Sequence, residues 1–160
     1  MRLKKDSSEQ KLRGAYYTPQ KLANAMVRLF ASENIDTVLE PSCGDGVFLD
    51  SLKETGFLDK VSRVEAVEIE APEAQKVSGR YKDTPKVKVI NQDFFEFYKE
   101  TLGTKTYDLI LGNPPYIRYQ YLKESQRECQ AQILTSHGMK SNKLINAWVA
   151  FMVASVQMLS

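Results

Sequence analysis

Histidine and tryptophan each occur once in these 160 residues, and cysteine only twice. The lone His137 has no partner in the sequence for a metal site or a nucleophile–base pair. Cys43 and Cys129 form neither a metal-ligand spacing nor a disulfide framework, so no metal site is expected. Two such cysteines fit a reducing, cytoplasmic setting. No apolar run approaches the ~20 residues of a membrane helix, so no membrane partner is expected. The N-terminus is charged and lacks an apolar stretch, and no signal peptide is expected. Internal repeats and low-complexity tracts are absent. Neither sign of charge dominates: 22 Lys and Arg against 20 Asp and Glu give a net charge of +2. That balance is compatible with a nucleic-acid partner without arguing for one. A composition of 42% hydrophobic and 26% charged residues fits one globular domain with its own core.

What is present is an alternation of short strands and helices. Residues 37–40, 63–68, 86–90 and 107–111 read as four strands, short and rich in β-branched and apolar residues. Helical stretches fall at 46–55, 71–81 and 94–101. An earlier helix opens at Thr18-Pro19, with Thr as the cap and Pro at the first helical position. Leu22, Met26, Leu29 and Phe30 give that helix one buried face. A last helix runs over 143–159, and no strand is expected after it. Residues 1–13 read as a flexible basic arm, and 117–142 as a polar, irregular segment. Alternation of this kind predicts a parallel sheet with helices on both faces. Ligands in such sheets sit beyond the carboxyl ends of the strands.

The residues at those ends carry the chemistry. Glu40-Pro41-Ser42-Cys43-Gly44-Asp45-Gly46 is a strand, a glycine-bearing loop and a helix start. Its glycines permit a sharp turn and close approach to a ligand. The acids Glu40 and Asp45 disfavour a phosphate and welcome a cation, such as the sulfonium and ammonium of S-adenosylmethionine. Glu68 closes the second strand, where a carboxylate accepts from ribose hydroxyls; Glu70 competes for this role. Asp93 follows the third strand. It either accepts from an adenine amino group, with Phe94 packed on the ring, or caps the next helix.

Asn113-Pro114-Pro115-Tyr116 is the strongest signal. Two prolines stiffen the exit of the fourth strand. The Asn113 side chain and the Pro114 carbonyl are two acceptors beside an aromatic ring, which suits a planar exocyclic amino group such as adenine N6. Accepting both N6 hydrogens pushes the nitrogen toward tetrahedral geometry and frees its lone pair for in-line attack on a methyl donor. A base inside a duplex cannot reach such a loop, so it must be flipped out and stacked on Tyr116. Methylation at cytosine C5 is excluded, because it needs a cysteine in a Pro-Cys loop, and Cys43 and Cys129 follow Ser42 and Glu128.

These motifs resemble the amino-group DNA methyltransferases of restriction–modification systems, in their gamma arrangement, over about residues 14–159. Gly14-Ala15-Tyr16-Tyr17-Thr18-Pro19 is similar to the family's first element. The resemblance implies that Tyr17, Thr18 and Pro19 help hold the methionine end of S-adenosylmethionine. It implies cofactor contacts for Glu40, Ser42, Gly44, Gly46, Glu68, Ile69, Asp93, Phe94 and Asn113. It makes Asn113, Pro114 and Tyr116 the catalytic loop, and lines the target-base pocket with Pro115, Tyr116 and Asn146, the last within Asn146-Ala147-Trp148-Val149-Ala150-Phe151. Asn rather than Ser opening the loop favours adenine N6 over cytosine N4. A ribosomal RNA base or a protein glutamine amide is the alternative target, and a non-catalytic cofactor- or DNA-binding fragment the third reading.

The family's sheet has seven strands, and four fit here. The expectation is therefore a Rossmann-like catalytic domain over 14–160, truncated and lacking its target-recognition domain. Its partner is double-stranded DNA. The fourth strand would form an uncovered edge through which a homodimer could pair. Arg118 to Lys143 either meets the DNA backbone or is a solvated loop.

Overall fold

The structure is a computed structural model that describes residues 17–117, 121–140 and 146–160. The basic arm at 1–13, residues 14–16 of the first motif, Arg118, Tyr119, Lys143 and Leu144 lie outside the described residues. The chain clusters into two compact units, one holding 17–113 with 158–160 and the other holding 114–157.

The first unit is a parallel sheet. Its strands are β1 (Thr37–Glu40), β2 (Arg63–Glu68), β3 (Val87–Asn91) and β4 (Leu109–Ile110), in the order β3-β2-β1-β4. The four strands are separated by three helices: α2 (Val47–Glu54) with a 3-10 turn (Phe57–Lys60), α3 (Ala71–Arg80) and α4 (Phe94–Thr101). Such crossovers are what parallel pairing requires. The register sets Leu39 against Glu65 and Ile110, and Glu68 against Asn91.

Alternation along the strands sorts the side chains onto two faces. On one, Val38, Val64, Ala66, Val87 and Leu109 pack against Ala23 and Val27 of α1 (Gln20–Arg28), Phe48, Leu49 and Leu52 of α2, and Val77 of α3. Leu39, Glu65 and Val67 take the other face. Glu65 there meets Lys105 and Tyr107, and the Lys105 ammonium stands 5.7 Å from the Phe97 ring of α4.

Three expectations are corrected. Pro19, not Thr18, is the cap residue of α1: it makes no side-chain cap, and its carbonyl accepts from the Leu22 and Ala23 amides. Proline's fixed φ, here −59°, combined with an extended ψ of 136°, starts the helix one residue later than a threonine cap would. The segment 117–142 contains a helix of 13 residues, α5 (Glu124–Ser136), on which Cys129, Gln130, Ile133 and Leu134 are buried. The last helix, α6 (Ala147–Gln157), ends before Met158, and Leu159 forms a parallel bridge with Tyr107, two residues before β4. The Tyr107 amide donates to the Met158 carbonyl at 2.9 Å and the Ser160 amide to the Tyr107 carbonyl at 3.0 Å. The chain itself thus pairs with the segment that leads into the fourth strand, at Tyr107. Among the described residues, no helix is long and apolar enough to cross a membrane.

Asp108 fastens β4 to the start of β1. Its Oδ2 accepts from the Asp36 amide, the Thr37 amide and the Thr37 hydroxyl at 3.0, 2.8 and 2.9 Å. The Thr37 and Asp36 amides, then the Thr37 hydroxyl, hold its carboxyl down at about 2. A carboxyl depressed in the folded state stabilises above its unfolded value, near 3.9, and that contribution fades as pH falls toward 2. Solvent around this exposed side chain trims the contribution to about 1 kcal/mol. Asp108→Asn should therefore lower stability by about 1 kcal/mol at pH 7 and leave it unchanged near pH 2, as read by urea unfolding at the two pH values.

Candidate functional site

Because the strands are parallel, their carboxyl ends share one edge of the sheet. Glu40, Glu68 and Asn91 close β1, β2 and β3 there. β4 still pairs with β1 at Leu111, whose amide donates to the Leu39 carbonyl at 3.1 Å. A Cβ on Gly112 would lie 3.4 Å from Pro41 Cδ and 3.7 Å from Glu40 Cγ. The exit of β4 therefore runs against that of β1, and Asn113 is the next residue.

The loop at 41–46 turns through two left-handed glycines, Gly44 (φ 53°) and Gly46 (φ 83°). Gly46 cannot gain a side chain without displacing Val77, 3.0 Å from the Cβ position, and Arg80. Gly44 faces more open space, with only Cε1 of the exposed Tyr17 ring 3.9 Å from its Cβ position. Burial, then the charges of Glu73 and Asp45, push the Tyr17 phenol up. Glu68 anchors the loop: Oε2 accepts from the Gly44 amide at 2.7 Å, and Oε1 from the Glu70 amide at 2.8 Å. Each oxygen can accept once more. Glu70 supplies this amide and caps α3, so Glu68 is the carboxylate at the strand end.

Glu40 is 2% exposed, and burial, then Asp45, Glu68 and Asp50, hold its carboxyl well above the ordinary range. Its Oε2 and the Ser42 hydroxyl are both buried and make no hydrogen bond among the described residues. Buried polar atoms normally find partners, so two orphans beside one loop point to a ligand. Burial likewise pushes the Cys43 thiol up, far from a thiolate nucleophile.

Ile69 follows the buried Glu68 yet is 54% exposed. Asp93 takes the capping role: Oδ1 accepts from the Phe95 amide at 2.8 Å. Phe94 is buried, its ring centroid 5.7 Å from that of Phe95. Tyr17, Thr18, Pro19, Glu40, Ser42, Gly44, Gly46, Glu68, Ile69, Asp93, Phe94 and Asn113 all belong to this first unit.

Pro114, Pro115, Tyr116 and Asn146 belong to the second unit. Tyr116 is exposed. The Ala147 amide donates to the Ile117 carbonyl at 3.0 Å, so the end of the proline loop meets the start of α6. Asn146 Oδ1 accepts from the Trp148 amide at 3.3 Å and caps that helix. His137 is exposed at the end of α5, with Nδ1 2.9 Å from the Ile133 carbonyl.

Residues 10–160 match the family described as Eco57I restriction-modification methylase. The chain belongs to that family. It is 30% identical over 151 residues to the Type II methyltransferase M.HincII of Haemophilus influenzae, covering 94% of this chain and 26% of the relative. Identity to M.BanIII of Aneurinibacillus aneurinilyticus is 28%, covering 91% and 28%. The chain thus spans about a quarter of the length of these curated relatives. Among solved structures, the type I restriction-modification methyltransferase subunit of Streptococcus thermophilus superposes with a TM-score of 0.70 at 19% identity, covering 91% of this chain and 32% of that one. A Listeria monocytogenes protein assigned to the class I S-adenosylmethionine-dependent methyltransferases gives 0.69 at 14%, covering 92% and 44%. The fold of this Eco57I-family chain is the Rossmann-like one of class I methyltransferases.

Two residues of the Eco57I-family chain at this edge escaped the sequence reading. Asn91 Nδ2 donates to the Glu68 and Ile69 carbonyls at 2.8 and 3.1 Å, holding the turn that presents both side chains. Arg80 bonds the Asp45 carbonyl and reaches the Asp50 carboxylate at 3.4 Å, bracing the glycine loop from α3. Each bond spans at least 22 residues, and nothing local in the sequence announces it. Asn91→Ala removes both bonds, leaving the Glu68 carbonyl only its bond from the Gln92 amide, and should cost about 1 kcal/mol. It should also weaken a ligand bound at this strand edge by roughly tenfold, which corresponds to about 1.4 kcal/mol. Calorimetry beside thermal unfolding checks both.

Proposed function

We propose that this chain is the cofactor-binding and catalytic-loop region of a DNA adenine-N6 methyltransferase, in the gamma order, that uses S-adenosylmethionine. The observation that carries the reading is the edge where four parallel strands end, with Glu40, Glu68 and Asn113 at neighbouring strand exits and two buried acceptors that have no hydrogen-bond partner among the described residues.

The residues fit that cofactor in sign and shape. Glu40 Oε2 and Ser42 Oγ are acceptors for a cationic, hydrogen-rich end, and Glu40, Asp45 and Glu68 supply the opposite charge. Tyr17, Thr18 and Pro19 border the methionine end. Gly44 and Gly46 let the backbone approach it. Glu68 keeps a free acceptor position on each oxygen for the ribose hydroxyls, and the exposed Ile69 offers an apolar face to the adenine. Asp93, whose Oδ1 caps α4, accepts from the adenine amino group, and Phe94 packs on the ring. The bound cofactor supplies an electrophilic methyl group.

On the substrate side, Asn113 Oδ1 and the Pro114 carbonyl accept the two hydrogens of the target amino group and localise its lone pair. Tyr116 stacks on the flipped base, and Pro115 and Asn146 border its pocket. The partner is double-stranded DNA. The family of the chain favours DNA over an RNA base or a protein amide, though those targets pose the same problem at nitrogen. Some three-quarters of the relatives' length lies outside the matched region, and we assign recognition of the DNA sequence to such a segment.

The test begins with calorimetric titration of S-adenosylmethionine, with NAD and ATP as controls. Saturable binding of the first alone supports the cofactor assignment. Methyl-labelled cofactor is then incubated with DNA, RNA and protein, and the products are digested. Label in N6-methyladenine is the expected result. Label in N4-methylcytosine, methylated RNA or methylglutamine would replace the substrate assignment.

A further inference from the structure

We propose that Glu40 gives up one proton when S-adenosylmethionine binds, being a neutral carboxylic acid in the free protein and a carboxylate against the cofactor's cation. The inference rests on the cofactor reading above.

Its basis is geometric. Glu40 is 2% exposed, and Oε2 has no hydrogen-bond partner among the described residues. Around it stand the Cys43 thiol and the Asp45 carboxyl from the loop, Asp50 from α2, Glu68 from β2, and the phenol of Tyr81, the residue that follows α3. On the β4 side stands Gly112, which brings no charge. None of these is a cation. Arg80 is engaged by the Asp45 carbonyl and by Asp50. Asp50 also accepts from Tyr81 at 2.7 Å, so this neighbouring carboxylate is itself supported, while Glu40 Oε2 is not.

A carboxylate buried with an unpartnered oxygen among other acids is expensive, and holding a proton removes that cost. An ammonium and a sulfonium reverse the balance, because an opposite charge within a few ångströms favours the ionised form. The balance of the step is simple: the O–H bond of Glu40 breaks, its electron pair stays on the carboxylate, and the proton passes to the buffer. The free cofactor's α-amino group, with a pKa of about 7.7–8, is already protonated at pH 6.5 and takes up nothing there.

The experiment is calorimetric titration of the chain with S-adenosylmethionine at pH 6.5 in phosphate and in imidazole, whose ionisation enthalpies differ widely. The expected result is net proton release on binding, up to one per cofactor. Affinity should rise with pH over the range in which the free Glu40 carboxyl holds its proton, by at most about tenfold per unit. Glu40→Gln keeps the shape and neutrality of the protonated acid. It should fold like the parent, release almost no proton and show a nearly flat pH profile. Asp45→Asn should still release its proton. Binding with no proton exchanged, or the same release from Glu40→Gln, overturns this proposal and leaves the cofactor reading standing. No binding in any buffer overturns the cofactor reading and this proposal with it.

Discussion

Glu65→Ala should destabilise the protein by about 3 kcal/mol, a large part of the 5–15 kcal/mol that holds a domain of this size folded. Glu65 is 3% exposed in the middle of β2 and takes three donors at once. Arg63 Nη1 and Lys105 Nζ each stand at 2.7 Å, and the Tyr107 hydroxyl at 2.5 Å. The Arg63 guanidinium also lies 4.9 Å from the centre of the Tyr107 ring. Burial by itself would raise the Glu65 carboxyl, but Lys105, Tyr107 and Arg63 outweigh it and hold the group below its ordinary value. Removing the carboxylate strands the Tyr107 hydroxyl, on a residue with no exposed surface, and leaves two cations without their counter-charge.

Broken buried ion pairs cost about 3–5 kcal/mol. Arg63 and Lys105 keep 36% and 34% of their side chains exposed and can turn toward water, which places the loss at the lower end. Glu65→Gln retains one acceptor and should lose about half as much. Tyr107→Phe removes only a donor and should cost about 1 kcal/mol. Urea midpoints at constant slope give this order, and equal losses for all three would mean that packing, not charge, sets the stability of the cluster. The pH dependence has a definite sign. A depressed carboxyl stabilises above its unfolded value, near 4.3, and loses that contribution as pH falls through the lower folded value. Glu65→Gln should therefore flatten the stability curve on the acid side.

Much of this fold was legible because parallel strands and their helices repeat a local pattern. Thr37–Glu40, Arg63–Glu68 and Phe94–Thr101 have the bounds read from the sequence. The strand-end position of Glu40, Glu68 and Asn113 follows from the same alternation. α5 was missed for a physical reason. Its buried residues include Gln130 alongside Cys129, Ile133 and Leu134, so the apolar stripe that marks a helix is too narrow to see. The pairing at 158–160 was missed because three residues carry no period. Main-chain bonds to Tyr107 decide it, and these are set by tertiary position. Asp93 shows the opposite case: both uses of the residue were legible, and the cap was the one that geometry alone could display. Asn91, Arg80 and Asp108 act on backbone atoms distant in sequence, where no motif can announce them.

On the proposed function, Asn113→Ala should reduce methyl transfer to DNA by about 10²–10³, roughly 2.7–4 kcal/mol of transition-state stabilisation. The target nitrogen gains positive charge as it attacks, and its hydrogens then bind an acceptor more tightly than in the ground state. Losing Asn113 Oδ1 should therefore fall on the transfer rate and spare DNA affinity. The Pro114 carbonyl still accepts one hydrogen, so transfer should remain above the uncatalysed level. Cofactor affinity should change less than tenfold, because the proposed assignment gives most of those contacts to Glu40, Glu68 and Asp93. Asn113→Gln keeps the amide but shifts it by one methylene, and should be nearly as slow as the alanine variant, since catalysis tolerates little misplacement. Single-turnover transfer of labelled methyl to DNA separates rate from binding. A transfer rate in Asn113→Ala equal to that of the parent would remove the side chain from the chemistry. An unchanged rate constant with weakened DNA binding would recast it as a substrate contact.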